Sequence, residues 1–166
     1  MQKDLQKIDR ESTSLGQHEL HTEAKVIASS NGAANRNVLL IALEMPPARS
    51  AGVQRPYRFA EYLLELGWNP IVLTASADIY QRFDHDLQIP DALQRRIFRA
   101  KAYDASKVFS IAGRSPDWLA VPDRYWPWYF SAVQLGQKLI KEFNIGCIWS
   151  TYPVLTAHLI GRKLSK

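Results

Sequence analysis

Apolar positions along this chain follow two periods, and the alternation between them predicts the elements. "NVLLIAL" (37–43) is a continuous run of strand formers without polar alternation, as in a strand buried on both faces. From 53 to 66 the period becomes helical, with Val53, Tyr57, Ala60 and Leu64 on one stripe and Phe59 and Leu63 widening it. Gly67 is the stop signal. "NPIVLTA" (69–75) reads as a second strand, with Pro70 near its start, where proline is tolerated. Strand, helix and strand in this succession predict a right-handed βαβ unit. Residues 76–95 are less regular, and "HDLQIPDALQR" predicts a short helix or turn. "RIFRAKA" (96–102) is a third strand, followed by a long aromatic connection. A helix over 128–143 carries Ala132, Gly136, Leu139 and Phe143 on its packing stripe. "GCIWST" is a fourth strand, and "YPVLTAHLIGRKLSK" starts a helix with Pro153 at its first position. The predicted fold class is α/β: a Rossmann-like three-layer α/β/α arrangement with a parallel sheet of at least four strands, residues 37–44 among the central ones.

The first 36 residues stand apart, because they hold no sustained period and end in the small, polar "ASSNGAANR". They predict a disordered or loosely ordered tail and linker (1–36) ahead of one domain (37–166). His18 and His21 lie in this tail at a spacing that could ligate a metal on a helix, but no third ligand accompanies them.

Composition narrows the class. A hydrophobic content of 46% suffices for a core. The longest apolar run, Val38–Leu43, is far short of the roughly 20 residues that cross a bilayer. The first thirty residues lack the apolar core of a secretory signal. One cysteine, Cys147, allows no intrachain disulfide and suits a reducing compartment; inside "IGCIWS" it reads as a buried structural thiol. The expected location is cytoplasmic, with at most peripheral contact to the inner face of the membrane. The net charge of +5 is scattered, without the basic face and interleaved aromatics of a nucleic-acid binder, so no nucleic-acid partner is expected.

Three places carry candidate chemistry. The first is "EMPPARSAGVQRPYRF", where a buried strand breaks into a small-residue loop and then a helix. Gly52 permits close backbone approach, first-turn N–H groups lack intrahelical partners, and Arg55 sets a cation against the helix dipole. That combination suits an anion or phosphoryl group, and equally an ordinary βα connection with exposed arginines. The second is "STYPVLTAHL": Ser150 and Thr151 end a parallel strand, where α/β proteins place ligands, Tyr152 continues the cleft loop, and His158 follows on the next helix. The third is the group Asp117, Trp118, Asp123, Trp126 and Trp128, which reads as a hydrophobic plug over the sheet or as a sugar platform. The chain has no Walker lysine motif, no G-x-G-x-x-G after a strand, no nucleophile elbow and no metal-ligand cluster. No cofactor or metal is expected.

Taken in order, "PPARSAGVQRPYRFAEYLLELGWNPIVLTA", "DRYWPWYFSAVQLGQKLI" and "IWSTYPVLTAHLIGRKL" resemble the N-terminal domain of glycosyltransferases of family 4, the group 1 type with a GT-B fold. The resemblance covers 38–166. It implies a retaining hexosyl-type transfer from a nucleotide-sugar co-substrate to a glycan, lipid-linked or small-molecule acceptor held mainly by this domain. It also implies a C-terminal donor-binding domain, supplied elsewhere or by a separate partner chain. The E-x7-E spacing of that second domain occurs here only at Glu11–Glu19, in the polar tail. The donor diphosphate loop maps onto Ala51, Gly52 and Arg55, and His158 matches the histidine of the family's "AHLIG" helix as a cleft or structural residue. The alternative is a truncated, non-catalytic α/β binding or interaction module.

Overall fold

Four strands, β1 (Asn37–Ile41), β2 (Asn69–Ala75), β3 (Ile97–Ala100) and β4 (Cys147–Ser150), form one parallel sheet in the order β3-β2-β1-β4. The computed structural model describes residues 35–84, 86–108 and 121–166, all within the unit Asn35–Lys166. The expected tail, with His18, His21 and Glu11–Glu19, lies outside the described residues except at its last two positions. Asp117 and Trp118 lie outside them as well.

Because successive side chains on a strand point to opposite faces, the sheet divides its core in two. Leu39, Ile41, Ile71 and Leu73 face α4 (Trp128–Phe143) and α5 (Leu155–Leu164). Val38, Leu40 and Val72 face α1 (Ala51–Glu65) and its stripe of Val53, Tyr57 and Ala60. β1 is central and covered on both sides, which is why its sequence is continuous rather than alternating. Each fully buried Leu or Ile contributes about 1.5–3 kcal/mol, so this two-sided core is the main source of stability. Short helices α2 (Asp91–Gln94) and α3 (Ala105–Val108) flank β3. The architecture is therefore the Rossmann-like three-layer α/β/α fold that the pattern predicts. Among the described residues no helix is long and apolar enough to cross a membrane.

Local details differ from the sequence reading. α1 begins at Ala51, two residues early, because Ser50 caps it by accepting a hydrogen bond from the Gly52 N–H at 3.2 Å. Gly52 is thus inside the first turn, not ahead of it. α5 begins at Leu155 rather than Pro153, and the Tyr152-Pro153 bond is cis. Its start is fixed from a distance: Asp123 Oδ2 accepts from the Thr156 N–H at 2.7 Å and from the Thr156 hydroxyl at 2.8 Å. Cys147 is exposed, contrary to the expected burial, because it opens an edge strand whose first residue no helix covers. The predicted ends of β1 and β3 also overrun the observed strands: beyond Ile41 the chain keeps only the backbone bonds Ala42 N–H to Leu73 O and Ala75 N–H to Leu43 O before the loop, and β3 gives way to loop at Lys101. Gly67 does take the left-handed conformation, at φ 73°, that ends α1.

Candidate functional site

β1 is followed by α1 on one face of the sheet, while its neighbour β4 is followed by α5 on the other. Two adjacent strands whose chains leave in opposite directions open a crevice at their C-terminal ends, the place where open α/β sheets bind ligands. The two candidate loops meet there. A Cβ built on Gly52 would lie 3.7 Å from Pro153 Cδ. Thr151, buried, donates its N–H to Ile41 O at 3.1 Å, tying the β4 exit to the β1 exit. Ser150 Oγ and His158 Nδ1 are 2.8 Å apart, with His158 exposed in the first turn of α5. Tyr152 projects outward, 69% exposed. Ala51 is exposed at the first position of α1, and Arg55 is exposed one turn on.

The α1 N-terminus already has an anion of its own. The Ser50 hydroxyl donates to Glu44 Oε2, and a Cβ at Gly52 would come 2.8 Å from that same oxygen. The missing side chain at Gly52 therefore makes room for the Glu44 carboxylate at the positive end of the helix. An incoming diphosphate at this turn has to displace Glu44 or lie beside it.

Next to this turn is a polar cleft of about 290 Å³ lined by Glu44, Arg49, Ser50, Tyr80, Arg82 and Arg124 among others. Tyr80 is its buried hub: its hydroxyl lies 3.3 Å from Leu43 O, Ala75 O and Met45 N, anchoring the loop after β1. Arg99 stands behind Tyr80, half-buried, donating to Pro46 O at 2.5 Å, to Ala75 O at 3.2 Å and to the Tyr80 hydroxyl at 3.1 Å. The sequence reading missed Arg49, Arg82 and Arg124 as a group. They come from three distant segments, and only the sheet order brings them together.

A second, apolar groove of about 350 Å³ runs between α4 and α5, lined by Pro122, Trp126, Tyr129, Phe130 and Leu159, with Arg162 on its rim. The tryptophans separate here. Trp128 is fully buried against the sheet, as a plug, while Trp126 is half-buried and lines this groove. Asp123, capping α5, serves the fold. Among the described residues no group of three or more His, Cys, Asp or Glu side chains could hold a metal ion.

Compared with family models, with curated proteins and with solved structures, the chain matches none.

Proposed function

We propose that this chain is the acceptor-side N-terminal domain of a GT-B glycosyltransferase of the family 4 type, working with a donor-binding domain to move a sugar from a nucleotide-sugar to a glycan, lipid-linked or small-molecule acceptor. One observation carries the reading. The Gly52 turn and the Ser150–Tyr152 loop, two of the segments that carry the resemblance, lie side by side at the sheet's switch point. In such an enzyme the leaving diphosphate is stabilised by dipoles and charges converging from two lobes in a cleft that excludes water. This domain supplies one wall: first-turn N–H groups of α1 and the β4 exit. Its working place is then cytoplasmic, with at most peripheral membrane contact.

A half-site makes few contacts to offset the entropy of association. Titration calorimetry of the full chain with uridine, guanosine and adenosine diphosphate sugars is expected to give binding on the order of millimolar or weaker. Micromolar binding to this chain alone would overturn the half-site reading and favour a self-sufficient nucleotide-binding module. Joined to a donor domain, the Gly52→Val variant should lose transfer more than stability, because the branch blocks backbone approach. Glu44, seated over Gly52, favours a second reading, a non-catalytic module whose helix terminus is permanently occupied. Absence of transfer when the unaltered chain is joined to a donor domain would support it.

A further inference from the structure

We infer that the cleft lined by Arg49, Arg82 and Arg124 is a binding site for the phosphate group of a small phosphorylated ligand, a phosphomonoester of the sugar phosphate class. The inference stands on this cleft alone and does not require sugar transfer.

The two central arginines are held in place by backbone. Arg49 donates its N–H to Arg82 O at 2.9 Å, Asp84 donates to Pro47 O at 2.7 Å, and Ala48 bridges to Phe83 in antiparallel fashion. This short ladder sets Arg49 and Arg82 side by side on a rigid base. Both side chains are exposed, and among the described residues neither has a hydrogen-bond or ion-pair partner. Arg124 enters from the segment before α4. Its guanidinium donates to the Tyr125 hydroxyl at 2.8 Å and forms an ion pair with the buried Asp104, Nε to Oδ2 at 3.7 Å, a distance that leaves its N–H groups free to turn toward the cleft. Behind them Arg99 adds a half-buried positive charge whose partners are all neutral.

Against these cations the cleft lining holds one carboxylate, Glu44, which is turned onto Ser50. Like charges held close on a fixed base repel, and an anion between them relieves the repulsion. Guanidinium forks match phosphate oxygens two at a time, and a dianion uses more than one fork. The volume of about 290 Å³ is at the low end for small-molecule sites, which suits a sugar phosphate. The phosphate could be carried by a soluble ester or by a lipid headgroup, since the recognised chemistry is the same.

The test uses the full, ¹⁵N-labelled chain. Inorganic phosphate and glucose 1-phosphate should shift the backbone signals of Arg49 and Arg82 and the arginine Nε–H signals saturably, while glucose does not. The Arg49→Gln/Arg82→Gln double variant should lower affinity about tenfold or more. Lys141→Gln, an exposed charge in the last turn of α4, should leave it unchanged. Glu44→Gln should tighten binding several-fold, a gain that misfolding cannot imitate. Phosphatidylcholine vesicles with and without phosphatidic acid form the second arm. Binding only to phosphatidic acid vesicles, lost in the double variant, supports the site with a lipid source. The inference is overturned if neither arm binds, or if Lys141→Gln weakens binding as much as the double variant does.

Discussion

The two ends of the same sheet are built in opposite ways. At the N-terminal end, polar side chains satisfy one another across the strands. Asn37 Nδ2 donates to Phe143 O at 2.6 Å, Asn69 Nδ2 donates to Asn37 Oδ1 at 2.9 Å, and Arg96 Nε donates to Asn69 Oδ1 at 2.7 Å. β1, β2 and the start of β3 are stitched to the end of α4 in one chain of bonds. At the C-terminal end, the Arg49 and Arg82 side chains find no partner among the described residues, and Arg99 finds only neutral ones. Arginines serve both ends, so residue type does not tell structure from function; what separates them is whether the bonding capacity is used up inside the protein. A closed network stabilises the fold. An open one leaves donors that a ligand can use, as inferred for the arginine cleft.

The contrast can be broken most directly at the closed end. Asn37→Leu removes the donor to Phe143 O and the acceptor of Asn69, and it should cost about 2–3 kcal/mol in urea unfolding, since part-buried partners lose their bonds. Glucose 1-phosphate affinity, corrected for the folded fraction, should not change. A variant as stable as the parent would show that the stitching is ornamental. At the open end the reverse is expected. The Arg49→Gln/Arg82→Gln protein should match the parent's stability within about 0.5 kcal/mol, while its tenfold loss of phosphate affinity corresponds to about 1.4 kcal/mol of binding. A drop in melting temperature with binding intact would reverse the assignment of the two ends.

Smaller effects sharpen the picture. Gly67, at φ 73°, turns the chain from α1 into β2 at the closed end. Gly67→Ala should cost about 1 kcal/mol in stability, because a Cβ is disfavoured in the left-handed region; equal unfolding midpoints would argue that this turn relaxes freely. The smallest expected effect is that of salt. Raising sodium chloride from about 20 to 200 mM shortens the screening length, so phosphate binding should weaken a few-fold while stability barely moves. Insensitivity of binding to salt would indicate recognition without the exposed arginines.

Part of the site was legible in the chain and part was not. Gly52, Ser150 and Thr151 could be read as lying at strand exits, because an apolar run that breaks into small or polar residues marks the C-terminal end of a parallel strand. Arg55 could be read only as a cation near a helix start; its place on the exposed side of α1 follows from the observed phase of the helix. Ser50 carried a capping signal that went unread, and recognising it moves the helix start to Ala51. The pairing of Asp123 with Thr156 joins segments 33 positions apart, beyond any local rule.

What the sequence by itself determined was therefore the α/β class, the buried central strand, the first βαβ unit and the span of α4. Each rests on local periodicity, which the backbone enforces within a few residues. The tertiary structure alone decided the strand order, and with it the switch point between β1 and β4. It also put Glu44 over Gly52 and Arg49 beside Arg82, and left Cys147 at an uncovered edge. The physical reason is the same in each case. These relations depend on which strand lies next to which and on the face each helix covers, and packing of the whole core settles both.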